Sequence, residues 1–112
     1  MNDLLIEKKI DHLFNKEVYP LLKHFPNAEK HALCKDIKTT FVALATNVML
    51  ANSVKCRRRE YQDKADGYQK TLLFLFNTAY QQKYITEKKK EFLQRKLEEI
   101  GRLLGGWMKS NK

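Results

Sequence analysis

The chain has 112 residues, a formal charge of +9, and 43% hydrophobic against 31% charged residues, a balance that suits one folded core and excludes a disordered polyelectrolyte. Four glycines and two prolines are too little turn material for an all-β fold, and two cysteines are too few for a disulfide framework or a zinc site. The expectation is a single all-α domain over residues 1–112, in a reducing, cytoplasmic compartment.

Met1 leads into LLIEKKID, which lacks the long apolar stretch and cleavage site of a signal peptide. Ile6, Ile10, Leu13, Phe14, Leu21 and Phe25 fall mostly at steps of three or four and predict a first helix. Pro20 removes a backbone donor and crowds the preceding turn, so a bend is expected near Tyr19. HFPNAEKH then breaks the helix. Pro26 closes it, and Asn27 is placed to cap the second helix with Glu29 in its first turn.

Leu33, Ile37, Phe41, Leu44, Val48 and Ala51 form the stripe of the second helix, which Asn52-Ser53 ends. VKCRRREY follows at 54–61. Lys55, Arg57, Arg58 and Arg59 crowd like charges beside a helix start, where cations oppose the helix dipole, and Lys64 follows about a turn later. Local stability does not ask for such a cluster, so contact with RNA or DNA phosphates is expected, with Tyr61 offering a ring to a base. Glu60, Asp63 and Asp66 offset part of the charge, and Tyr61 also lies on the next apolar stripe, so a solvated turn stays open as the other reading.

The third helix is predicted to bury Tyr61, Ala65, Tyr68, Leu72, Leu75, Phe76 and Ala79 along one arc. Its most apolar window, TLLFLFNTAY at 71–80, is about half of the roughly 20 residues that a membrane span needs, so no membrane partner is expected. Phe74 points away from the arc, and Leu50, Leu73 and Tyr80 also sit off the main stripes. Such a surplus of apolar residues points to a homo-oligomer.

QQKYIT at 81–86 ends in Thr86, the expected cap of the last helix, which buries Leu93, Leu97, Ile100, Leu104 and Trp107. Opposite that face Lys88, Arg95, Arg102 and Lys109 recur every seventh residue, a basic stripe about 30 Å long. Glu91–Arg95 and Glu98–Arg102 are spaced as helix ion pairs, so a solvated face fits as well as a ligand-binding one. Gly101 and Gly105 have the spacing that lets helices approach closely. With Phe74 and Trp107 they are assigned to a subunit interface. Short connections between four helices of similar length make an antiparallel, up-down-up-down four-helix bundle.

Catalytic patterns are missing. His12, His24 and His31 have no metal-ligand spacing, and the glycines at 67, 101, 105 and 106 form no phosphate loop. Cys34 reads as a small buried hydrophobe. Cys56 sits among cations that favour a thiolate, but without a neighbouring base. Glu98 and Glu99 splay apart on a helix. No enzyme activity, cofactor, metal or small-molecule substrate is expected.

EEIGRLLGGWMKS at 98–110 resembles the C-terminal signature of the accessory variability determinant of diversity-generating retroelements. Those proteins lie within the wider four-helix-bundle family encoded in intervening sequences of large-subunit ribosomal RNA genes. Tyr19-Pro20-Leu21-Leu22 with Phe25-Pro26 resembles that family's end of helix one, and Ala28-Glu29-Lys30 its second-helix start. The likeness covers roughly residues 10–110. It implies a basic, non-catalytic protein assembled as a homopentameric barrel. Such a protein binds nucleic acid and associates with a reverse transcriptase, supporting the copying of a template RNA in mutagenic retrohoming. Of the basic positions, the resemblance carries over only Arg102, inside the matching run. Two further readings stay open: a wider-family bundle bound to structured ribosomal RNA, and a helical scaffold that binds only protein.

Overall fold

The computed structural model describes residues 2–111. Helix α1 occupies residues 2–22, α-helical over Asn2–His12, π-helical over Leu13–Val18 and α-helical again over Tyr19–Leu22. Helices α2 (Leu33–Ser53), α3 (Arg58–Gln81) and α4 (Glu87–Lys109) follow. Each packs on its sequence neighbour and α1 also packs on α4, which makes a compact all-helical bundle.

The π-helical segment is how α1 accommodates Pro20. A proline ring collides with the carbonyl four residues back and supplies no N–H, so an α-turn there is strained. The Tyr19 N–H instead reaches back five residues to the Phe14 carbonyl, in a wider turn. The disturbance expected at Tyr19 is thus spread over the six residues before it.

Asn27 does not cap the second helix. Asn27–Glu29 form a short 3₁₀ turn and α2 begins only at Leu33. The longer Glu29 side chain reaches the open helix end instead, accepting from the Leu33 N–H at 3.3 Å, and it also accepts the Tyr84 hydroxyl at 2.7 Å. Thr86 does cap α4, its hydroxyl accepting from the Lys89 N–H at 3.1 Å.

All six stripe residues of α2 and all five of α4 are buried, with Ile6, Ile10, Leu13 and Leu22 of α1 and Phe25 just after it closing the core. The buried arc of α3 differs from the expected one. Ala65, Leu72, Phe76 and Ala79 are inside, Tyr61 and Leu75 are half-buried, and Tyr68 is 37% exposed. Gln62 and Gln69 take the vacated places. The core face is therefore turned by about 40° toward the glutamines, at 100° per residue.

Gln69 is accommodated because its Nε2 donates to the Leu97 carbonyl of α4 at 2.8 Å. A Cβ on Gly101 would come within 2.9 Å of that amide, so Gly101 marks the close crossing of α3 and α4. Gln62 Oε1 accepts from Asn111 Nδ2 at 2.6 Å, tying the end of α4 back to α3.

Candidate nucleic-acid interface

The residues of the 54–61 turn divide by what their side chains already hold. Lys55–Arg57 form a 3₁₀ turn and α3 starts at Arg58. Arg58 folds back, Nε donating to the Ala51 carbonyl at 2.8 Å and Nη2 to that of Asn52 at 3.3 Å. Those carbonyls close α2, where the helix dipole is negative and four acceptors lack intrahelical donors. Its guanidinium also lies 5.8 Å from the centre of the Trp107 ring. Arg58 is thus a clasp between α2, α3 and α4, and not a free cation.

Most of the exposed members are paired too. Arg57 grips Glu60 with Nε at 3.2 Å and Nη2 at 2.8 Å, and Lys64 reaches the same carboxylate at 3.3 Å. Hydrogen bonds first from Arg57 and then from Lys64 hold the Glu60 carboxyl below the usual carboxylate range. Arg59 binds Asp63 at 3.0 Å. The Tyr61 ring is half-buried, with the Arg57 guanidinium 5.3 Å and the Lys64 ammonium 5.7 Å from its centre. Lys55 remains exposed and outside every ion pair among the described residues, beside an exposed Cys56 thiol.

The stripe on α4 is the reverse. Lys88, Arg95, Arg102 and Lys109 are all exposed, and none is in an ion pair among the described residues. The expected Glu91–Arg95 and Glu98–Arg102 pairs are not formed. Exposed helix pairs gain only a few tenths of a kcal/mol, too little to fix two long side chains. Glu99, on the same helix, pairs across to Lys9 of α1 at 2.8 Å. About 30 Å of unneutralised cations therefore runs along a bundle 45 Å long.

The residues assigned to a subunit interface also divide. Trp107 is 7% exposed and Gly101 meets Gln69, so both serve the chain's own packing. Phe74 is 68% exposed, and a Cβ on Gly105 would meet nothing within 4 Å. Leu50, Leu73 and Tyr80 are half-buried, the last two against the core.

A feature not legible in the periodicity lies at the opposite bundle end. Leu21 of α1 and His24 just after it, Tyr80 and Gln81 of α3, the turn Lys83–Thr86 and Lys89 of α4 line a cleft of about 560 Å³. Its aromatic residues and two of its basic ones come from the stretch 80–89, and the fold brings Leu21 and His24 against them. The nearest signal was the Tyr-Gln-Gln-Lys-Tyr run at 80–84.

No group of three or more His, Cys, Asp or Glu side chains that could hold a metal exists among the described residues. Cys34 and Cys56 are both free, and burial pushes the Cys34 thiol up. None of the described helices is long and apolar enough to cross a membrane.

Fold and surface together define a basic four-helix bundle with one face of unpaired cations. The chain belongs to the bAvd-like family, whose sequence profile matches residues 4–111. Its fold is similar to that of a protein of unknown function from the S23 ribosomal protein family of Bacteroides thetaiotaomicron. The TM-score is 0.86 at 16% identity, over 98% of this chain and 100% of that one. No curated protein matches it.

Proposed function

We propose that this protein is a non-catalytic accessory factor that binds the nucleic acid of a diversity-generating retroelement and associates with its reverse transcriptase. One observation carries the nucleic-acid part: four exposed cations at seven-residue spacing on α4 without carboxylate partners among the described residues. Phosphates bound there release condensed counterions, and no protein ion pair has to break first. At the 54–61 turn a phosphate has to displace Glu60 from Arg57 and Lys64, or Asp63 from Arg59. That makes the turn a secondary contact, chiefly through Lys55. Membership of the bAvd-like family supports the retroelement setting.

The assembly in this reading is an up-down-up-down bundle repeated in a homopentameric barrel. Exposed Phe74 and the bare outer surface at Gly105 support contact between copies. The test is direct: labelled single-stranded RNA and DNA are titrated with the protein at about 50 mM salt, where phosphate contacts are strong. Binding whose logarithm falls linearly with the logarithm of salt is expected. Binding of neither strand overturns the reading, and a gene without a neighbouring reverse transcriptase contradicts its retroelement part.

A further inference from the structure

We propose that the cleft between α1, the α3–α4 turn and α4 binds one unpaired nucleotide of a single strand, with its phosphate on Lys83 and Lys89 and its base against Tyr80 and Tyr84. This rests on the reading that the chain binds nucleic acid, and it names a second site, remote from VKCRRREY, and the form of ligand it takes.

The lining is apolar on the floor and basic at the rim. Leu21 and Ile85 form apolar wall, Tyr80 and Tyr84 are both half-buried, and His24, Lys83 and Lys89 supply the ionisable groups. No carboxylate lines the cleft. Tyr84 is anchored: its hydroxyl donates to Glu29 at 2.7 Å and its ring lies 5.4 Å from that of Phe25. Tyr80 is polarised by the Lys90 ammonium, 4.3 Å from its ring centre. Lys89 is held by Glu17 at 3.6 Å, a long contact that a phosphate oxygen can replace. A cleft of about 560 Å³ is within the range that takes a small ligand. Aromatic walls beside cations are how proteins hold unstacked bases.

Lys83 is the sharper clue. After α3 its N–H donates to the Tyr80 carbonyl and that of Tyr84 to the Ala79 carbonyl, the pattern that ends a helix on a left-handed residue. Glycine holds that position without steric cost, yet here it is lysine, at φ 67°. The turn by itself would be more stable with glycine. What lysine adds is an exposed ammonium at the rim of the cleft.

Stability and binding are therefore expected to move in opposite directions. Lys83→Gly should raise Tm by about 4 °C. It should also weaken single-stranded RNA or DNA about five-fold at about 50 mM salt and lower the salt slope by about 0.7, the loss of one phosphate contact. Tyr80→Leu, which keeps apolar volume, should weaken single strands at least about five-fold through the lost stacking surface. Duplex of the same sequence, its bases unavailable, should bind Tyr80→Leu within about two-fold of wild type. Single-strand affinity unchanged in both variants overturns the inference and leaves nucleic-acid binding standing elsewhere. Equal losses for duplex and single strand reduce the cleft to a plain phosphate contact and overturn it as well. A Lys83→Gly chain that loses stability together with binding does the same, since lysine would then serve the turn. Wild type that binds no strand of any kind removes the underlying reading too.

Discussion

Arg58 donates to the carbonyls that close α2, whereas Arg102 is exposed and in no ion pair among the described residues. Arg58→Ala leaves helix-end carbonyls to water and uncovers part of Trp107, so it should destabilise by about 1 kcal/mol while changing nucleic-acid affinity less than two-fold. Chemical denaturation and a binding titration on the same preparation check both halves. Gly101→Ala makes a sharper case because its sign depends on its neighbour. The new Cβ drives the buried Gln69 amide from Leu97, a net loss of about 1 kcal/mol after the helix-propensity gain. In a Gln69→Ala background the collision is gone, and the same change should stabilise by up to about 1 kcal/mol; additive behaviour in the double-mutant cycle would contradict the packing described. Glu99 gives the molecule a pH response. The Lys9 hydrogen bond chiefly, helped by the charges of Lys9, Lys96 and Arg102 against partial burial, holds its carboxyl below the usual range. The folded state therefore takes up that proton less readily than the unfolded chain. The contribution is full above the unfolded pKa, about 4.3 for a free glutamate, and is lost as pH falls below it through the folded one. Tm of wild type should drop over that window, and Glu99→Gln should drop less.

At the scale of elements, α2 and α4 were legible because their buried positions are all apolar and fall at one helical spacing. The arc of α3 is not legible in this way, because Gln62 and Gln69 read as surface residues and nothing local shows that the Leu97 carbonyl and the Asn111 amide wait across the interface. The start of α2 is hidden in the same way, since the capping carboxylate of Glu29 is also tied to Tyr84, 55 residues away. The basic stripe of α4 was visible as spacing, but its lack of ion pairs was not, because Glu91–Arg95 and Glu98–Arg102 have suitable separation. An unpaired stripe contributes little to folding. Arg95→Ala and Arg102→Ala should each stay within about 0.5 kcal/mol of wild type in stability, a result calorimetry can check.

For the whole molecule, the charge of +9 describes a field and not a site, and only the distribution of carboxylates shows where it is undisturbed. Five copies in a ring would multiply that field. Sedimentation at micromolar concentration should give five chain masses, and Phe74→Glu, which places charge on the most exposed aromatic, should shift the distribution to smaller species; a wild-type monomer would contradict the barrel. The four-helix architecture was readable from periodicity and loop length, while the cleft at the α3–α4 turn was not, being assembled from three helices and a left-handed lysine. The phosphate-binding face proposed for this chain is that of α4. Its most direct test is a salt titration of single-stranded RNA binding by a Lys88/Arg95/Arg102/Lys109→Gln variant beside a Lys55/Arg57/Arg59→Gln variant. The account predicts that the α4 variant loses most of its affinity at about 50 mM salt and about 3 units of salt slope, while the turn variant keeps most of both. An α4 variant with wild-type affinity and slope would contradict it.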